Sequence, residues 1–105
     1  VFKLMANTYK RVISALTSTG DNTVYSCPTA TTTIVKTVKV FNASGGAANV
    51  TMKVNAISID NESSLANNGT KTFVSGSDVL EAGDLLKINT NAQPINVYVT
   101  FLEIS

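Results

Sequence analysis

Residues 34–41 read Ile-Val-Lys-Thr-Val-Lys-Val-Phe, and after a polar link, Asn-Ala-Ser-Gly-Gly at 42–46, residues 50–54 read Val-Thr-Met-Lys-Val. β-Branched residues dominate both blocks, and these residues favour the pleated, half-buried surface of a strand. Two such blocks joined by a short glycine-containing link predict adjacent antiparallel strands.

The rest of the chain repeats this style, with turn-forming residues about every ten positions. Residues 33–42 and 95–104 carry apolar side chains on both faces, which predicts that strand 33–42 is covered on both sides and that the last strand, 95–104, lies centrally. Residues 60–70 form the longest polar segment, and we expect a loop there with room for one helical turn at 62–66. The pattern predicts an all-β protein, an antiparallel two-sheet sandwich of jelly-roll type with seven to eight short strands.

Composition limits the choice of partner and compartment. The 105 residues suffice for a single domain over 1–105, with residues 1–6 as an N-terminal arm. Eight Lys and Arg against seven Asp and Glu give a net charge of +1, and the lysines are dispersed, which argues against nucleic-acid binding. We find no apolar run of membrane-spanning length and no signal-peptide pattern, so we expect neither a membrane partner nor classical secretion.

The sequence offers little for catalysis. It contains no histidine, the commonest general base, and its one cysteine, Cys27, has no histidine to activate it. We therefore interpret Cys27 as a small buried residue before a turn. Residues 60–62 resemble a fragment of a calcium loop without the remaining ligands. We expect no enzymatic activity, no catalytic residues, no cofactor and no metal.

Four stretches resemble small structural proteins of phage virions, a class that includes capsid decoration (cement) proteins and related head, neck and tail proteins. They are residues 23–42, which begin Thr-Val-Tyr-Ser-Cys-Pro, 44–51 (Ser-Gly-Gly-Ala-Ala-Asn-Val-Thr), 80–88 (Leu-Glu-Ala-Gly-Asp-Leu-Leu-Lys-Ile) and 97–104 (Val-Tyr-Val-Thr-Phe-Leu-Glu-Ile). The chain departs from that class after Pro28, where Thr-Ala-Thr replaces the more usual Ala-Gly pair. The class provides no catalytic residues to transfer.

The resemblance implies a structural protein of a tailed phage particle, made in the bacterial host cytoplasm and seated in the virion, with a decoration protein of the shell as the leading interpretation. Its partners would be the major capsid protein or other virion proteins. A neck, tail or fibre component, or a glycan-binding module at a fibre tip, remains an alternative. A small domain without disulfides or metal has a marginal core, so we also expect a homotrimer whose subunit interface includes Phe2, Leu4, Val35, Phe41, Tyr98 and Leu102.

Overall fold

The computed structural model describes residues 7–105, apart from the side chain of Ser75. Phe2 and Leu4, and with them the expected N-terminal arm, lie outside the described residues. The described part of the chain forms eight strands: β1 (Asn7–Leu16), β2 (Gly20–Ser26), β3 (Thr32–Asn42), β4 (Ala48–Val54), β5 (Ile57–Leu65), β6 (Thr70–Leu80), β7 (Leu85–Thr90) and β8 (Ile95–Ile104).

The strands form two four-stranded antiparallel sheets. One sheet, here called the front sheet, has the order β1-β8-β3-β6, and the back sheet has the order β2-β7-β4-β5. The pairs β1·β8, β2·β7, β3·β6 and β4·β5 are nested, so the chain resembles one long hairpin wrapped into a sandwich. This is the jelly-roll arrangement, and it confirms the predicted fold class.

The prediction that β3 and β4 are adjacent strands is wrong. β3 pairs with β6 and β8 in the front sheet, whereas β4 pairs with β5 and β7 in the back sheet. The link between them crosses from one sheet to the other around Asn42, whose side chain is fully buried. Its Nδ2 lies 2.7 Å from the carbonyl oxygen of Gly46 and 2.8 Å from that of Leu65. Asn42 thus ties this crossing to the neighbouring β5–β6 turn.

β8, the strand predicted to be central, does occupy the middle of the front sheet, together with β3. Their inward residues meet the inward residues of β4 and β7 in a single core, which includes Val38, Val99, Met52 and Ile88. In β4 the half-buried alternation predicted from the sequence is also confirmed, since Val50 and Met52 are buried and their neighbours are more exposed.

The predicted loop at 60–70 is wrong for most of its length, because residues 57–65 form β5. β5 is an edge strand of the back sheet and pairs with β4 alone. Asp60 lies opposite Met52 and Glu62 opposite Val50, so carboxylates occupy the positions that face the interior. Charged residues that point inward are a common feature of protected edges, and they remove the apolar alternation by which strands are recognised.

The four sheet edges differ in regularity. All ten residues of β1 pair with β8 without a shift in register. By contrast, the pairings of β2, β5 and β6 each contain at least one register shift.

Within residues 7–105 no helix is long and apolar enough to cross a membrane.

Candidate docking surface

An apolar row crosses the outer face of the front sheet. Side chains of directly opposed residues in a sheet point to the same face. Tyr9 lies opposite Leu102, Leu102 opposite Ile34, and Ile34 opposite Val79, so one row reaches across all four strands. Tyr9 is 76% exposed and Val79 is 63% exposed, while the two central members are half-buried. We call this outer surface of the front sheet the front face.

A second group of apolar residues lies farther along the same face. Ile13 is opposite Tyr98, and Phe41 lies opposite Asn96, next to that pair. Together they line a depression of about 270 Å³ whose rim also includes Lys39. The Lys39 ammonium nitrogen lies 5.9 Å from the centre of the Tyr98 ring, within the range of a cation–π contact. The front face therefore combines apolar and aromatic surface with cationic groups.

The outer surface of the back sheet, the back face, is different in kind. Asp21 accepts hydrogen bonds from Asn89 at 2.6 Å and from Lys53 at 3.0 Å. Thr51 donates to Asn61 at 2.7 Å across the neighbouring strands. The bonds from Asn89 and Lys53 lower the pKa of Asp21 below its ordinary value. The polar side chains of the back face thus form hydrogen bonds with one another, as is typical of a surface that faces solvent.

The structure places the predicted interface residues unequally. Phe41 and Tyr98 lie on the front face, each 36% exposed, and Leu102 lies there half-buried. Val35 was wrongly included, because it is 1% exposed and packs in the core. Ile34, its neighbour, holds the outward position instead, since adjacent residues of a strand point to opposite faces.

Sequence reasoning missed several members of the front face, and all of them lie on flanking elements or on the opposite parity of a central strand: Tyr9, Ile13, Ile34 and Val79. The alternation within β1 was the signal that could have found two of them. Leu16 is buried, so residues at odd positions in β1 point away from the core.

A partly buried polar cluster joins the two sheets at one end of the sandwich. The Tyr25 hydroxyl donates to Oε2 of Glu103 at 2.6 Å and lies 2.7 Å from Oγ1 of Thr33. The Lys10 ammonium lies 2.9 Å from Oε1 of Glu103. Burial, and then the bond to Glu103, raise the pKa of Tyr25, while the bonds from Lys10 and Tyr25 lower the pKa of Glu103.

Cys27 lies beside this cluster and is 2% exposed, as predicted for a small buried residue. Its Sγ lies 3.2 Å from Oγ1 of Thr33 and 3.3 Å from the carbonyl oxygen of Thr31. Because these polar groups form their hydrogen bonds with one another, we interpret the cluster as a structural contact that holds the two sheets together.

A separate cleft of about 350 Å³ opens between the sheets on the side of β5 and β6. Met52 and Leu86 form its apolar floor, and Ile59 and Asp78 lie at its walls.

Among residues 7–105 there is no group of three or more His, Cys, Asp or Glu side chains placed to hold a metal ion. The front face is accordingly the strongest candidate for a functional surface.

No model of a known protein family matches the chain, and a search of curated proteins gives no match to it.

Proposed function

We propose that this chain is a non-enzymatic structural protein of a tailed phage virion, a decoration protein that seats its front face on the outer shell. The observation that carries the proposal is the contrast between the two faces of one sandwich. The front face is apolar and aromatic, with Tyr9 76% exposed, whereas polar side chains bond to one another across the back face. Large exposed apolar patches bordered by polar residues are typical of sites that contact other proteins.

The task of a decoration protein fits this contrast. Such a protein binds the assembled lattice and not its free subunits, so it stabilises the lattice by mass action. That work requires a rigid platform with one surface that is removed from water and another that remains in it. The jelly-roll fold also occurs in viral capsid proteins, although it occurs in lectins as well and gives support by analogy alone.

The size of the front face favours several copies acting together. Four strands of ten or eleven residues, about 4.8 Å apart and rising about 3.3 Å per residue, give a face of roughly 650 Å² in projection. Stable protein interfaces bury about 800 Å² on each partner. The front face of one chain is somewhat smaller than this, and linking three chains would raise the apparent affinity without new contacts. We accordingly propose the homotrimer as the form that binds, to be tested by the sedimentation mass of the purified chain.

Copy number per particle tests the location. Quantitative mass spectrometry of purified virions, with the major capsid protein as the internal reference, would give the ratio of the two proteins. A shell protein follows the lattice and should be present in hundreds of copies. A component of the neck or tail follows the ring symmetry of that structure and is present in few copies. A ratio of that second kind would reject decoration and favour the neck or tail alternative.

Heat stability tests the proposed role directly. Particles that lack the chain should still assemble but should release DNA at a lower temperature than complete particles. Adding back the purified protein should restore the original release temperature. If complete and lacking particles release DNA together, the chain does not reinforce the shell.

A glycan-binding module at a fibre tip is a second candidate, and one observation favours it. Tyr9 and Tyr98 present their rings on the front face, and Tyr98 lines the depression beside Asn96 and Lys39. An aromatic ring next to amide and ammonium donors suits a sugar. Reproducible binding on a glycan array, lost in Tyr98→Ala and kept in a Lys87→Ala control on the back sheet, would support this alternative.

A further inference from the structure

We infer that the partner of the front face is an apolar, carboxylate-bearing surface of a different protein, and that two copies of this chain do not pack front face to front face. This inference rests on the proposed function and extends it by naming the chemistry of the surface on which the chain docks. It is carried by the distribution of charge over the two faces of the sandwich.

The charged groups of the front face are cationic. Arg11 lies opposite Thr100, between the two apolar groups, and Lys39 lies opposite Tyr98. Both side chains are exposed. Neither takes part in an ion pair within residues 7–105, where the ion pairs involve Lys10, Lys53 and Lys71. The positive charge of this face is thus presented outward.

The carboxylates lie elsewhere, and all seven of the chain fall within the described residues. Asp21 is on the back face, Asp60 and Glu62 are on β5, and Glu81 and Asp84 lie at the turn between β6 and β7. The other two belong to the front sheet but do not lie on its outer face. Asp78 is opposite the buried Val35 and lines the cleft between the sheets, and Glu103 bonds to Tyr25 and Lys10 inside the sandwich.

This distribution selects the partner by charge. Two front faces in contact would bring Arg11 and Lys39 of both copies together without a carboxylate to compensate them. Like charges brought together at an interface disfavour that pairing, whereas complementary charge guides and orients the correct one. The same cations would be matched by Asp or Glu side chains on a different surface.

The aliphatic row argues for a protein partner over a nucleic acid, which would also match positive charge. Proteins that bind single strands place aromatic rings where successive bases stack. Here Leu102, Ile34 and Val79 occupy three of the four positions of the row that begins at Tyr9. Branched aliphatic side chains give bases no flat surface for stacking, but they pack well against apolar side chains of another protein. The geometry therefore assigns Phe41, Tyr98 and Leu102 to contact with a different protein and not with the front face of a second copy.

Zero-length cross-linking of intact virions tests the identity of the partner. A carbodiimide activates a carboxyl group, and a lysine amine in contact with it displaces the urea to form an amide. Mass spectrometry then identifies both peptides. We expect Lys39 to be joined to an Asp or Glu of another virion protein, whereas Lys87, on the back sheet near Asp21 of its own chain, serves as the internal control and should show few links to other proteins. Lys39 joined to a carboxylate of this same chain, or Lys87 joined to other proteins more often than Lys39, would overturn the inference.

Charge reversal supplies the second measurement. The probe is purified particles that lack the chain, tested both before and after nuclease treatment, to which purified full-length variants are added. Lys39→Glu and Arg11→Glu should each weaken binding at least tenfold, and binding of the wild-type chain should weaken as salt is raised. The control Lys87→Glu should bind within about twofold of wild type, as expected of a residue outside the interface. Thermal melting establishes that each variant is folded.

The outcomes separate the two ideas. Wild-type chain that does not bind the particles rejects the proposed function, and the inference with it. Binding that is equally sensitive to Lys39→Glu and Lys87→Glu leaves the proposed function standing and overturns the inference. Binding that disappears with nuclease treatment also overturns it, because the partner is then a nucleic acid.

Discussion

The hydroxyl of Tyr25, on the back sheet, donates a 2.6 Å hydrogen bond to Oε2 of Glu103, near the end of the last strand of the front sheet. The same hydroxyl lies 2.7 Å from Oγ1 of Thr33, and the Tyr25 ring packs with its centre 4.1 Å from that of Phe101. One side chain therefore joins the two sheets by both polar and apolar contact. Its removal should loosen the sandwich at this end.

Tyr25→Phe should lower the free energy of unfolding by about 1–3 kcal/mol, because a hydrogen bond to a charged group is lost while the ring contact remains. Urea denaturation followed by circular dichroism measures the change. The matched control is Tyr9→Phe on the exposed front face, which should change stability by less than about 0.5 kcal/mol. Equal effects of the two substitutions would contradict the role given to the Tyr25 hydroxyl.

The pH dependence of stability should report Glu103. Hydrogen bonds from Lys10 and Tyr25 hold its folded-state pKa below the ordinary value of 4.5. A carboxyl with a depressed pKa stabilises the fold fully above its unfolded pKa, and the contribution is lost as pH falls through the folded value. We therefore expect the urea midpoint to fall below about pH 4.5 and to fall less steeply in Glu103→Gln. Identical acid slopes in the two proteins would show that Glu103 does not contribute.

Asn42→Ala should be among the more damaging single substitutions. The Asn42 side chain is buried and serves the carbonyl oxygens of Gly46 and Leu65, and its Oδ1 accepts from the amide of Ser44 at 2.9 Å. The substitution leaves these groups without their partner, at a cost of about 2–3 kcal/mol. Asn96→Ala, on the exposed front face, is the control for loss of an amide. A cost for Asn42→Ala as small as that of the control would refute the role of Asn42 in holding the crossing between sheets.

Cys27 should resist thiol reagents while the protein is folded. Its sulfur is buried among Thr31, Thr33 and Leu80, and a reagent reaches it only after the surrounding structure opens. Labelling of native protein should be slow and should accelerate with urea in step with global unfolding. As a comparison, a cysteine introduced at the exposed Thr23 should react at once. Rapid labelling of the native wild-type protein would show that this end of the sandwich opens locally.

The fold class could be predicted because the two central strands of the front sheet, β3 and β8, have an easily recognised apolar pattern. In both strands one face lies in the core and the other belongs to the front face, where several of their residues are half-buried. Residues of both parities are therefore apolar, and the two strands can be recognised from the sequence. The same property explains the error at Val35. When both faces of a strand are apolar, the sequence does not say which parity points inward, and the register with β8 and β6 decides it.

The edge strands were harder to predict for a related reason. β5 pairs on one side only and carries Asp60 and Glu62 at inward positions, so its pattern is that of a polar segment. The sheet assignment of β3 and β4 was missed because a five-residue link suits both a hairpin and a crossing between sheets. The difference lies in two partners of Asn42, the carbonyl oxygens of Leu65 and Ala66, which are more than twenty positions away and cannot be seen in a local pattern.

The regular pairing of β1 bears on how copies of this chain can associate edge to edge. A long, regular edge is the kind of strand that recruits a second edge, and β1 is ten residues long and free of bulges. Fibres need two such edges on every molecule, so that each added copy leaves a new one open. The pairings of β2, β5 and β6 are all interrupted by register shifts. If two copies paired through β1, the regular edge strand of each copy would be covered and the association would stop at a dimer. The remaining edges of the described sandwich are irregular, so they do not offer the second regular edge strand that a fibre requires.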